Sequence, residues 1–177
     1  MLCGKWIVLQ VAVHAERRVH WALLNKGYEC FLPLYVVTST ARNARRIVEA
    51  PMFPGYVLCR QNTQPSGFVV TTPGVRKIVS FAGKPATLED HEIVAIQQVT
   101  GSGQKCGPHP YLRVGETVMI VSGPLQGVRG FLVRGGNKRR LIISVDVLTR
   151  SIFVEADSCD IVALSSVSVG GKMFTAA

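Results

Sequence analysis

Residues 114–145 read VGETVMIVSGPLQGVRGFLVRGGNKRRLIISV. Apolar residues recur at every second position in short runs, first Val118 and Ile120, then Phe131 and Val133, then Leu141 and Ile143. That period belongs to strands with one buried face, so the three pairs are expected to share one core. Gly123-Pro124 turns one hairpin and Gly135-Gly136-Asn137-Lys138 another, while Gly127 and Gly130 permit a tight bend where side chains would clash. The expected strands are Glu116–Val121, Gly130–Arg134, Arg140–Val147 and Ser151–Ala156. About 55 residues with four or five short strands bury a core only by closing into a small barrel.

Upstream, the composition changes at Thr100–Pro110, TGSGQKCGPHP, which has little to bury and reads as a linker. The expected division is therefore a first domain over 1–100, a flexible linker over 101–112, the barrel over 113–166 and a disordered tail over 167–177. In the first domain Trp6–Val13, WIVLQVAV, is a buried strand. Ala15, Val19, Ala22 and Leu23 then take helical spacing, which stops at Lys26-Gly27. Tyr28–Val37 is strand-like, with Pro33 marking an edge or bulge. A basic hairpin or loop over 38–46 follows, with further strands at Ile47–Met52, Gly55–Gln61 and Val75–Phe81. Thr87, with Asp90 three residues on, is expected to cap a helix carrying Leu88, Ile93, Ile96 and Val99. The fold class is thus an α+β first domain, an antiparallel sheet flanked by helices, plus a small all-β barrel.

The whole chain has 177 residues, 47% hydrophobic and 18% charged, which is the composition of a folding protein. It carries a formal charge of +9. Residues 1–100 hold eleven basic against six acidic residues and the remainder nine against five, so the excess is spread as +5 and +4. No run of apolar residues is long enough for a membrane helix, and no membrane partner is expected. The five cysteines are scattered without Cys-x-x-Cys spacing, which argues against a disulfide framework and a zinc site and fits a reducing cytosol.

Catalysis finds no support. The four histidines lack metal-ligand spacing, no phosphate-cradling loop or nucleophile elbow occurs, and Glu89, Asp90 and Glu92 cluster where a helix start favours them. No cofactor or metal is expected, and the chain is read as a binding protein. Two constellations remain: the stretch 114–145, and Pro51-Met52-Phe53-Pro54-Gly55-Tyr56-Val57-Leu58, where a turn sets aromatic groups at the mouth of a strand. Exposed aromatic groups there would suit a protein interface.

The Phe-Pro-Gly-Tyr stretch, preceded by the WIVLQV strand and the Arg17-Arg18 helix and followed by Thr72-Pro73-Gly74-Val75, resembles the NusG N-terminal (NGN) domain. Val114-Gly115-Glu116, Ser122-Gly123-Pro124-Leu125-Gln126-Gly127 and Gly130 resemble the KOW motif of its C-terminal barrel. The stretches 49–56 and 139–145 look closest to the specialised RfaH/UpxY-like branch, whose members act on chosen operons.

The resemblance implies a cytoplasmic transcription elongation and antitermination factor that binds the clamp helices of RNA polymerase and suppresses pausing or termination. By position it assigns that contact to Phe53, Pro54, Gly55, Tyr56 and Leu58. Arg17, Arg18, Arg42, Arg45 and Arg46 would then lie near upstream or non-template DNA, which they would touch nonspecifically. In the barrel, Leu125, Val128 and Leu148 would meet a small-subunit ribosomal protein or a termination factor. Some specialised members refold the C-terminal segment as a helical hairpin; the β-branched alternation here favours the barrel. The competing reading is a KOW-type ribosome- or RNA-binding module using Arg129, Arg134, Lys138, Arg139 and Arg140.

Overall fold

The apolar run at the amino end forms β1 (Trp6–Val11), and almost every residue of it is buried. The computed structural model describes residues 4–41, 44–61, 67–112, 116–135, 138–156 and 161–163. After β1 come α1 (Glu16–Asn25), β2 (Cys30–Phe31), β3 (Leu34–Ala41), β4 (Ala44–Pro51), β5 (Tyr56–Arg60) and the short α2 (Gly67–Val70). Next are β6 (Val75–Ile78), β7 (Ser80–Phe81), β8 (Lys84–Pro85), β9 (Thr87–Leu88) and α3 (Asp90–Gly101). β1 sits inside an antiparallel sheet, with β5 and then β2 on one side and β6 and β9 sharing the other.

Successive side chains of a strand leave opposite faces, and both faces of β1 are covered, which accounts for an apolar run broken within it only at Gln10. Ile7, Leu9 and Val11 pack with Ala15, Val19 and Leu23 of the α1 segment. Trp6 and Val8 belong with Leu58, Leu88 and the α3 residues Ile93, Ile96 and Val99. Each such aliphatic side chain contributes about 1.5–3 kcal/mol on burial.

Helix ends follow local chemistry. Gly27 takes φ +81°, the N–H of Gly27 donates to Leu24 O at 2.9 Å, and that of Tyr28 donates to Leu23 O at 3.1 Å. These are the two bonds of a Schellman stop. At α3 the expected Thr87 cap is replaced. Thr87 pairs with Ile7 in the sheet, and the cap is Glu89, whose side chain and that of Glu92 satisfy each other's backbone N–H. The expected Tyr28–Val37 strand is split at Leu32-Pro33 into β2 and β3, because Pro33 has no N–H to give a ladder. β3 and β4 form a separate two-stranded hairpin.

The second half is all β: β10 (Cys106–His109), β11 (Glu116–Ile120), β12 (Arg129–Gly135), β13 (Lys138–Val145), β14 (Arg150–Ala156) and β15 (Ile161–Ala163), with a 3-10 turn at Asp146–Leu148. The order is β10-β14-β13-β12-β11-β15, antiparallel throughout. Two expectations are corrected. The segment read as a flexible linker contains the end of α3 and all of β10, which pairs with β14. Its glycine and proline suit an edge strand lying flat on an aromatic ring: a Cβ on Gly107 would stand 3.0 Å from Phe153 Cε1, and Pro108 needs no second partner.

The other correction is one of register. Leu132 lies opposite Leu141 and Phe131 opposite Ile142, so Leu132 shares the face of Leu141 and Ile143, and Phe131 and Val133 take the other. A shift of one residue exchanges every side chain between faces. Gly130 is required by close approach, since a Cβ there would run into Ile142 O. The hairpin tip at 136–137 and the tail 167–177 lie outside the described residues.

Candidate functional site

The turn Phe53–Tyr56 is built by its own sequence and then clamped by its surroundings. Pro54 at the second position and Gly55 at the third, with φ +84°, meet the requirements of a type II turn. Tyr56 N–H closes it on Phe53 O at 3.1 Å. Two groups outside the turn hold it: Val11 N–H donates to Gly55 O at 2.8 Å and Gly55 N–H donates to Glu16 Oε1 at 2.8 Å, while just before it Met52 N–H donates to Pro33 O at 2.8 Å. Glu16 is buried, with 4% of its surface exposed. The first turn of α1, where a carboxylate is favoured by the helix dipole, is thereby fastened to the turn before β5.

The five residues assigned to a partner do not stand alike. Pro54 is exposed and Gly55 and Tyr56 are half-buried, but Phe53 and Leu58 keep only 2% and 1% of their surface. The expectation of exposed aromatic groups is corrected at Phe53. It joins Met52 and Leu58 in a cluster that also contains Val118, Leu125, Val128, Leu141 and Ile152 of the second half. One continuous core therefore runs from β1 through α3 into the second sheet. Gln98 Nε2 donates to Gln126 O at 3.2 Å across this junction. Beside it lies a cleft of about 1070 Å³ lined by His91, Ala95 and Gln98 on one side and Gln126, Val128 and Phe131 on the other.

The arginines divide as well. Arg17 bonds Glu49 through the carboxylate at 3.0 Å and the backbone carbonyl at 3.3 Å, so its charge is locally answered. Both partners are about half exposed, and such a pair is worth only a fraction of a kcal/mol. Arg18 is exposed on α1. Arg45 and Arg46 are exposed on β4, and their partners in the ladder are Thr40 and Ser39. Adjacent positions face opposite ways, so these two arginines stand on the two faces of the hairpin. Arg42 lies outside the described residues.

In the second sheet Leu125, Val128 and Leu148, expected to meet a partner, are core residues with 2%, 1% and 7% exposure. Leu125 and Val128 are turned inward by the compact turn in which Val128 N–H donates to Leu125 O at 3.1 Å and Gly127 N–H donates to Ile120 O at 2.8 Å. Of the basic residues offered for RNA, Arg129 and Arg139 are exposed, whereas Arg140 lies over the Phe153 ring at 4.7 Å and within 3.7 Å of Glu155.

Sequence reasoning missed several residues. Glu16 reads as an ordinary helix-start acid, and nothing local announces its burial. Arg60 bonds Glu29 at 3.1 Å, Asp90 at 2.9 Å and Gly4 O at 3.0 Å, and lies 5.5 Å over Trp6. It ties the start of α3 to β1 and β5. Cys30 and Cys59, apart in sequence, stand opposite each other on β2 and β5. Among the described residues no group of three or more His, Cys, Asp or Glu could hold a metal. No helix described is long and apolar enough to cross a membrane.

Residues 4–97 match the family described as Transcription termination factor nusG. The chain is 29% identical over 167 residues to the Transcription termination/antitermination protein NusG of Lactococcus lactis, covering 86% of this chain and 89% of that one. It is 27% identical to the protein of that name from Bacillus subtilis, covering 84% and 87%. The corresponding figure for Rickettsia bellii is 25%, covering 85% of each. A solved structure described as Domain interaction in Thermotoga maritima NusG shares the fold with a TM-score of 0.53 at 19% identity, over 89% of this chain and 96% of that one.

Proposed function

Because the chain belongs to the NusG family, we propose that it is a transcription termination/antitermination factor that acts by binding RNA polymerase. The polymerase clamp helices dock on the ground around Phe53, Pro54, Gly55, Tyr56 and Leu58, and the docked factor suppresses pausing or termination. Action on chosen operons, as in the RfaH/UpxY-like branch, belongs to the same proposal. One observation carries the reading: a rigid turn, held through Val11 and Glu16, presents exposed Pro54 and half-buried Tyr56 beside an apolar cluster. A preformed turn loses little entropy on binding, and a tyrosine offers large area with few rotamers.

Phe53 and Leu58 are covered in this arrangement, so contact begins on exposed Pro54 and half-buried Tyr56. Arg18, Arg45 and Arg46 then face nucleic acid gathered by the polymerase, each neutralised phosphate adding about 0.9 to the salt slope. A contact of the second sheet with a small-subunit ribosomal protein or a termination factor would use side chains other than the buried Leu125, Val128 and Leu148.

The test is retention of the purified chain on core RNA polymerase, with transcript length followed in a pausing assay. The parent is expected to bind and to lengthen transcripts. Tyr56→Ala is expected to bind at least about tenfold more weakly, the loss of one interface anchor, while keeping the parent's circular dichroism. An unretained parent, or a variant that binds as the parent does, overturns the reading.

A further inference from the structure

β2 is a two-residue edge strand, and its register on β5 sets Cys30 directly opposite Cys59. Arg60 N–H donates to Glu29 O at 2.7 Å, which makes Glu29 and Arg60 a hydrogen-bonded pair. The two kinds of pair alternate along an antiparallel ladder, so Cys30 and Cys59 form the non-hydrogen-bonded kind, with Cα atoms about 4.5 Å apart and side chains on one face. That spacing lies within the roughly 4.4–6.8 Å over which a disulfide closes without moving the backbone. Cys59 is fully buried and Cys30 half-buried. Hydrogen-bonding contact with Cys59, then burial, push the Cys30 thiol well above the usual range.

We propose that Cys30 and Cys59 form a cross-strand dithiol that a low-molecular-weight disulfide converts into an intramolecular disulfide. The thiolate of Cys30, the more accessible sulfur, attacks the reagent disulfide, forming a mixed disulfide and expelling one small thiolate, which takes up the proton Cys30 gave. Cys59 then attacks the Cys30 sulfur, loses its own proton and expels the second small thiol. Two protein thiols are oxidised and one reagent disulfide is reduced to two thiols. The thiolate is scarce because Cys30 holds its proton, so the first step is slow and brief exposure leaves the pair reduced. The bond staples β2 to β5 and closes a covalent loop over residues 30–59, which holds the whole β3–β4 hairpin and the Phe53–Tyr56 turn.

The full-length protein is incubated with oxidised glutathione, blocked with an alkylating agent and digested with trypsin without reduction. The expected product is peptide 27–42 joined to peptide 47–60, lighter than their sum by two hydrogens, in monomeric protein. Its melting temperature should rise by roughly 5–15 °C and fall back with dithiothreitol. Cys30→Ser, at a half-buried site, should remove both effects, and Cys106→Ser neither. Phenylarsine oxide, which takes two adjacent thiols, should protect both peptides of the reduced parent from alkylation in denaturant and should leave Cys59 of Cys30→Ser, in peptide 47–60, open to it. Glutathione resting on Cys30 with Cys59 free, linkage to Cys3, Cys106 or Cys159, or independent alkylation of the two peptides under the arsenical overturns the proposal.

Discussion

Two Pro-Gly turns flank the carboxyl end of β1, and they differ in almost everything but backbone. Phe53–Tyr56 and Thr72–Val75 each place glycine at positive φ, +84° at Gly55 and +100° at Gly74. Each closes with a bond from the fourth residue to the first, 3.1 Å and 3.0 Å, and in each the glycine carbonyl accepts at 2.8 Å from the backbone at the end of β1, Gly55 from Val11 and Gly74 from Ala12, the residue that follows the strand. Around Gly74 there is no room: a Cβ would lie 2.8 Å from Cγ2 of Val19, a residue without exposed surface. Around Gly55 the nearest atom to such a Cβ is Val11 O at 3.9 Å. Thr72 is buried and accepts from Lys26 Nζ at 2.8 Å, whereas Pro54 is exposed. Identical turn chemistry thus serves as an internal wedge against α1 in one place and as a presented surface in the other.

Substitutions sharpen that contrast. Gly74→Ala should be the most costly, about 3 kcal/mol, because left-handed strain adds to overpacking against a valine that cannot retreat. Urea unfolding measures it, and a loss no larger than at Gly55 would show that Val19 yields. Glu16→Ala should cost about 2 kcal/mol, since it leaves the Gly55 N–H without its charged acceptor. The same variant should also weaken polymerase retention, because the presented turn loses one of its clamps. Gly55→Ala should cost about 1 kcal/mol from strain alone. Unchanged retention on polymerase in that variant would separate the shape of the turn from its stability.

Much of the fold was legible because it follows from neighbours along the chain. The WIVLQV run, interrupted only by Gln10, pointed to a buried strand, Lys26-Gly27 to a helix stop, and Pro54-Gly55 to a tight turn. Four strands of the second half, β11 to β14, were placed within a few residues, yet the facing was misjudged by one position at Phe131, since alternation alone does not say which member of the period looks inward. β10 was hidden in a composition that reads as a linker, because an edge strand lying on Phe153 uses the same glycine and proline.

The candidate site was legible as a place and not as a surface. Residues 53–56 announce a turn, but Phe53 and Leu58 are covered by packing among segments far apart in the chain, with α3 and the second sheet sharing their core. The sequence by itself determined the local geometry: where the chain turns, where helices stop, which residues alternate. Only the tertiary structure decided which apolar groups stay dry, that Glu16 reaches Gly55 and that Cys30 meets Cys59. The reason is physical: turns and caps are bonded over a few residues, whereas burial and strand register are settled by long-range contacts whose members carry no mark of their partners.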